Sequence, residues 1–108
     1  MIYPRFRKIV VRLYSKVLKM PQYHIGLTQG QIGRYIFLVE KPDDAPRFAS
    51  FLDGAKEVAN HREYCSYTGK LDGVDVTIIS TGIGGPSTAI AIEELAVIGA
   101  EVFIFTGF

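Results

Sequence analysis

The sequence has no tryptophan, one cysteine and two histidines among its 108 residues. A lone Cys65 excludes an intrachain disulfide framework, and His24 and His61 are too far apart for any usual zinc spacing. Cys65 is expected to be a buried or half-buried strand residue, and a reducing, cytoplasmic setting fits it. No apolar run approaches the ~20 residues of a membrane-spanning helix. There is no internal repeat, no Gly-Lys-Ser/Thr phosphate loop and no dinucleotide fingerprint. What remains is 48% hydrophobic and 21% charged, which is globular rather than disordered. A chain of this length makes one small domain.

One absence is local. Residues 1–20 contain no acid but carry Arg5, Arg7, Lys8, Arg12, Lys16 and Lys19, while the remainder is net acidic. Phe6, Ile9, Leu13 and Val17 share one helical face and the basic residues another. This basic amphipathic extension is expected to be helical. It is open to three readings: a membrane-surface helix, a targeting peptide, or an appended piece ahead of a conventional start at Met20. No nucleic-acid partner is expected, because the rest of the chain is acidic and shows no binding-module motif.

From residue 21 onward the patterns alternate between strand and helix. Residues 34–39 read as a buried strand, and "RFASFLDGAKEVA" (47–59) has helical spacing at Phe48, Phe51, Leu52 and Ala55, with Asp53-Gly54 as a stop signal. "REYCSYTGKL" and "VDVTIIST" read as two strands joined at Asp72-Gly73, a strong hairpin signal because both residues tolerate positive φ. A helix then follows Pro86 and stops near Gly99, leading into "EVFIFT", a further strand. Strand–helix–strand order predicts parallel pairing through a crossover. The class is α/β, with a mixed sheet that contains a hairpin.

Two loops stand out. "STGIGGPS" (80–87) follows a strand, offers glycines for close backbone approach and small hydroxyls, and opens a helix. On these grounds alone it is either an anion site or a structural tight turn. "VEKPDDAP" (39–46) ends the first strand with three acids, one lysine and two prolines.

The longer string "STGIGGPSTAIAIEEL" (80–95) resembles the signature of the purine nucleoside and uridine phosphorylase family. "YHIGLT" (23–28), "HREY" (61–64) and "YTGKLDGVDV" (67–76) are similar to its uridine-phosphorylase-type members. The resemblance spans roughly residues 21–107 and implies the N-terminal portion of a three-layer α-β-α phosphorylase domain. The implied reaction is phosphorolysis of a nucleoside to free base and ribose 1-phosphate, with phosphate as co-substrate and no organic cofactor. The implied partners are nucleoside and phosphate, and a second subunit in a dimer-based homo-oligomer or a full-length phosphorylase.

The resemblance also assigns positions. His24 matches a histidine that reaches a neighbouring subunit's ribose 5′-hydroxyl, and Arg62 an arginine that lends charge to the neighbour's phosphate. Ile83 and Gly84 match the loop lining the nucleoside site. Glu63, Ile83 and Ser87 match positions that hold a monovalent cation such as potassium between subunits. Against this, Glu40 stands where the family has a glycine whose amide reaches phosphate. Asp44 and Phe105 stand in place of arginines, and Phe108 in place of a threonine. These phosphate positions are expected to be disabled, since a carboxylate within about 4–6 Å opposes an anion. The residues that read the base and the 2′- and 3′-hydroxyls belong to a second half of the family domain that these 108 residues do not contain. The isolated chain is therefore expected to be inactive. The readings that compete are an enzyme part requiring a complementary chain, a catalytically dead homologue acting in oligomerisation, and a gene fragment without function.

Overall fold

A computed structural model describes residues 20–106. The basic segment, up to residue 19, and Phe108 lie outside the described residues, so the expectations placed on them stand where the sequence left them.

Five strands form one mixed sheet: β1 (Tyr35–Val39), β2 (Asp53–His61), β3 (Tyr64–Leu71), β4 (Val74–Ser80) and β5 (Val102–Phe105). Their spatial order is β2-β3-β4-β1-β5. The β2–β3 and β3–β4 pairs are antiparallel, and β1 lies parallel to both β4 and β5. The parallel relation expected from strand–helix–strand order therefore exists, but β1 sits between β4 and β5 rather than leaving them adjacent.

Two helices cover the sheet, α1 (Asp44–Ala49) and α2 (Gly85–Val97). Period-2 alternation in β1 decides which side each strand residue serves. Ile36 and Leu38 pack with Ile79, Ala91, Leu95 and Ile98 on the α2 side. Tyr35, Phe37 and Val39 pack with Ala45, Ala49, Val76 and Ile78 on the α1 side. One helix on each face makes the three layers of an α/β fold. Each buried Ile or Leu contributes ~1.5–3 kcal/mol through removal from water, which makes β1 and the C-terminal half of α2 the stabilising centre.

The turn chemistry behaves as read. Asp72 (φ 50) and Gly73 (φ 79) both adopt left-handed backbone between β3 and β4. Helix α2 ends in a left-handed Gly99, where the Ala100 amide donates to the Leu95 carbonyl at 3.0 Å and the Gly99 amide to Ala96 at 3.3 Å. That doubled closure satisfies carbonyls the helix would otherwise leave bare.

The region after Pro46 needs correction. Helical spacing at Phe48, Phe51, Leu52 and Ala55 suggested a helix running toward Asp53-Gly54. The helix instead closes at Ala49, and a turn places the Leu52 amide on the Ala49 carbonyl at 2.9 Å. Residues 53–61 then form β2, an edge strand that sequence patterning missed. Its register shifts twice against β3, and most of its residues are exposed or half-buried, so it lacks a clean alternation. Such irregular edges are less prone to pair with another chain. The strand expected to start at Arg62 starts at Tyr64, because Arg62-Glu63 forms the β2–β3 turn.

Polar side chains inside the sheet are paired. Thr77 Oγ1 accepts the Gly33 amide at 2.9 Å and shares a hydrogen bond with Thr68 Oγ1 at 2.8 Å. Ser80 Oγ accepts the Cys65 amide at 2.8 Å and donates to the Glu63 carbonyl at 2.5 Å. The second pairing ties the β2–β3 turn to the end of β4, beside the candidate site. Cys65 is buried, and burial, with Glu57 nearby, pushes its thiol pKa up despite a countering hydrogen bond with Tyr67.

Candidate functional site

The parallel strands set the geometry. Val39 is level with Ser80, and Leu38 with Phe105, so β1, β4 and β5 end together. Loops leaving the carboxyl ends of parallel strands are where open α/β sheets form crevices. The backbone ladder continues past the strands: the Thr81 amide donates to Val39 at 2.8 Å, Gly82 to Glu40 at 2.8 Å, and Thr106 to Leu38 at 3.0 Å. The glycine loop is thereby stitched to the "VEKPDDAP" loop.

A cleft of about 470 Å³ opens at this edge, lined by Glu40, Gly82, Gly84, Gly85, Thr88, Ala89, Ile92 and Phe105. The glycine conformations explain the loop sequence. Gly82 (φ 73) and Gly84 (φ 111) both occupy backbone that side chains rarely adopt. A Cβ on Gly82 would also sit 3.0 Å from Glu63 Cβ. Gly84 caps α2, and Ser87 and Thr88 hydroxyls fold back to donate to its carbonyl, each at 3.2 Å. The first amides of α2 therefore have no side-chain cap, and a helix N-terminus favours negative charge.

Two of the substituted positions, Glu40 and Phe105, meet on this cleft. Glu40 contributes a carboxylate-bearing residue to the cleft lining, and Phe105, 60% exposed, an apolar ring. Asp44 does not join them. A turn puts the Asp44 amide on the Lys41 carbonyl at 3.0 Å, and α1 begins there, carrying Asp44 into a separate groove with Lys41, Arg47, Phe48 and Phe51. Glu40 therefore lines the glycine-loop cleft, and Asp44 lines the neighbouring groove. Arg47 also lines that other groove, 3.9 Å from Asp44, and is not recruited to the cleft. Of the loop pair Ile83 and Gly84, Gly84 lines the cleft and the Ile83 side chain turns outward, 85% exposed.

A second cleft, about 330 Å³, gathers Tyr23, His24, His61, Arg62, Glu63 and Tyr64. Here the structure joins His24 and Arg62, which the sequence separates widely. The Nδ1–H of His61 donates to the His24 carbonyl at 2.8 Å. The carboxylate of Glu94, on α2, accepts from the His24 amide at 3.0 Å, the Ile25 amide at 3.1 Å and His24 Nδ1 at 2.5 Å. Tyr23 stacks edge-on against the His24 ring. Arg62 holds a left-handed φ of 56, which only one other non-glycine residue among those described shares. The Tyr64 hydroxyl donates to the Ser87 carbonyl at 2.7 Å, joining the turn to the first turn of α2. Burial, then Glu63 and Glu94, pushes the Tyr64 phenol pKa up, which keeps that donor protonated.

Glu63, Ile83 and Ser87 surround Gly82. Glu63 Cβ and Ser87 Oγ lie 3.0 and 3.8 Å from where a Gly82 Cβ would project. No cluster of three or more His, Cys, Asp or Glu side chains suited to a metal occurs among the described residues. No helix of the described residues is long and apolar enough to cross a membrane.

Reasoning from sequence did not single out His61 or Glu94. His61 lies within the "HREY" string and Glu94 within "IEEL", but the contact between His24 and Glu94 spans 70 positions. No local pattern signals it.

Comparison with known proteins gives consistent matches. The Phosphorylase superfamily matches residues 34–108. A uridine phosphorylase of Thermococcus kodakarensis is 55% identical over 86 residues, covering 80% of this chain and 31% of that protein. A guanosine phosphorylase of Halorubrum lacusprofundi is 40% identical over 86 residues, covering 80% of this chain and 36% of that protein. The crystal structure of uridine phosphorylase from Vibrio fischeri superposes with a TM-score of 0.80 at 38% identity, over 82% of this chain and 37% of that one. The chain thus spans about a third of the length of the relatives it matches.

Proposed function

The chain belongs to the phosphorylase superfamily, and on that premise we propose that it is a uridine-phosphorylase-type chain whose nucleoside cleft is kept in outline but whose phosphate site is disabled. The observation that carries this reading is the convergence of Glu40 and Phe105 on the glycine-loop cleft.

Phosphorolysis forms a bond from a phosphate oxygen to the anomeric carbon and breaks the bond to the base, which leaves with the electron pair. The protein's work is to hold phosphate in line and to stabilise the charge on the departing base. Helix α2 and its glycine loop supply backbone donors. Glu40 supplies a charge of the wrong sign, worth about 1–4 kcal/mol against each unit of phosphate charge at ~4 Å between water-like and surface dielectrics. Phe105 offers no donor in place of an arginine's fork. Losing one positioned donor costs ~2.7–4 kcal/mol of transition-state stabilisation. The 108 residues alone are therefore inactive in phosphorolysis. The test is uracil release from uridine with and without phosphate; phosphate-dependent release by the purified chain refutes the reading.

A uridine and a guanosine phosphorylase each match across 80% of this chain, so similarity alone does not choose between the two bases.

A second reading is favoured by the other cleft. His24 and Arg62 lie together on an exposed face, and Arg62 keeps a left-handed turn conformation. Backbone strain held at one position is a recurrent sign of a retained role. In this reading the face docks against a second subunit, a copy of this chain or a full-length phosphorylase, and supplies His24 and Arg62 to the neighbour. Glu63, the Ile83 carbonyl and Ser87 are oxygen donors of the kind that would hold a potassium ion at the junction. Native mass separates the outcomes: a stable even-numbered assembly supports the docking role, and a monomer at every concentration refutes it.

A further inference from the structure

We propose that Glu94 is a positioning residue that fixes the tautomer of His24, so that Nε2 presents a lone pair and selects a hydroxyl donor over an anionic phosphate ester. This deepens the reading of His24 as the residue that meets a nucleoside hydroxyl, and rests on that reading for the identity of the ligand.

Glu94 makes three bonds to two consecutive residues. Its Oε1 accepts the amides of His24 and Ile25, and its Oε2 accepts Nδ1–H of the His24 ring. The carboxylate is 15% exposed and the imidazole 45%. The ring is thus fixed on its inner nitrogen and open on its outer side. A carboxylate only accepts, so the neutral imidazole must carry its proton on Nδ1. Nε2 is then an acceptor directed away from α2, in the cleft shared with Arg62 and Tyr64.

The backbone supports the same orientation. His61 Nδ1–H donates to the His24 carbonyl, so both the amide and the carbonyl of His24 are engaged. Ile25 is fully buried, which anchors the segment next to the ring. A ring held in this way needs little reordering when a ligand arrives. A hydroxyl can donate to Nε2. A dianionic phosphate ester has no proton to donate and meets a lone pair, so a nucleoside is accepted and its 5′-phosphate is rejected.

The test reads the tautomer directly in the 108-residue chain. Long-range proton–nitrogen NMR of the ¹⁵N-labelled protein resolves each imidazole, and only two histidines are present; H24N assigns the pattern. In the singly protonated ring, His24 is expected to show protonated Nδ1 and bare Nε2. In Glu94→Gln the amide oxygen still accepts the backbone amides, while its NH₂ faces Nδ1. The pattern should then exchange, with the proton on Nε2. A wild-type ring protonated on Nε2, or an unchanged pattern in Glu94→Gln, overturns the proposal. The wild-type spectrum decides against or for the proton position even if the variant does not fold. A merely structural Glu94 would lower the urea midpoint without exchanging the pattern. The phosphorylase reading is tested separately by uracil release and native mass, and its failure would leave these spectra as expected.

Discussion

The amide of Gly82 donates to the carbonyl of Glu40 at 2.8 Å, which binds the glycine loop of one strand to the acidic loop of its neighbour. The two loops share one cleft, and the residue that joins it to β1 carries a carboxylate. Glu40 is not among the residues with left-handed backbone, so this junction does not call for glycine's conformational range.

Introducing the residues that the family resemblance implies at positions 40 and 44, with Glu40→Gly and Asp44→Arg, is expected to leave the isolated chain without phosphorolysis. Asp44 lies in another groove, and Phe105 remains on the cleft. Uracil release measured with and without phosphate checks this. Turnover by the double variant would show that Phe105 is no obstacle.

Arg62→Gly should stabilise the fold and weaken any association. A left-handed non-glycine residue costs ~1–2 kcal/mol, and glycine gives back ~0.5–1 kcal/mol in chain entropy. A net gain of ~0.5–1 kcal/mol in urea unfolding follows from those two values. A loss of stability would mean that the Arg62 side chain, rather than its conformation, supports the turn.

Two glycines should respond in opposite ways to alanine. A Cβ on Gly33 would lie 2.3 Å from the Asp75 carbonyl oxygen, while one on Gly85 meets nothing within 4 Å. Gly33→Ala should cost ~1–3 kcal/mol or more through overpacking against backbone. Gly85→Ala, in the first turn of α2, should be neutral or stabilising by up to ~1 kcal/mol. Paired urea titrations check both.

Stability should fall at alkaline pH. Burial raises the folded-state pKa of Tyr64, Cys65 and Tyr67. For each, the folded chain keeps its proton where the unfolded chain releases it. The contribution is complete below the unfolded values, about 8.5 for the thiol and 10 for the phenols, and is lost as pH rises through the raised folded values. Urea midpoints followed from neutral pH upward should decline first for the thiol, and Cys65→Ala should remove that first decline.

Much of the fold was legible because its signals are local. Alternation in β1, Asp72-Gly73 at the hairpin, Pro86 near the start of α2 and Gly99 at its end each act over a few residues. β2 was not legible because an edge strand with two register shifts buries no regular face, and Phe48, Phe51 and Leu52 imitate a longer helix. At the site, Glu40 and Phe105 stood out only through the family resemblance of their segments, and the structure brings them to one cleft. That Asp44 lines a neighbouring groove follows from the direction in which α1 departs, which is a tertiary matter. The Glu94 contact to His24 depends on bringing α2 against residues near the start of the described region, which no spacing rule encodes.

The most direct test is calorimetric titration of inorganic phosphate into the 108-residue chain, after a cooperative urea transition has established that it is folded. With Glu40 and Phe105 on the cleft, no saturable heat of phosphate binding is expected. Saturable binding that is abolished by substituting Gly84 or Thr88 would place phosphate in the glycine-loop cleft and contradict the account.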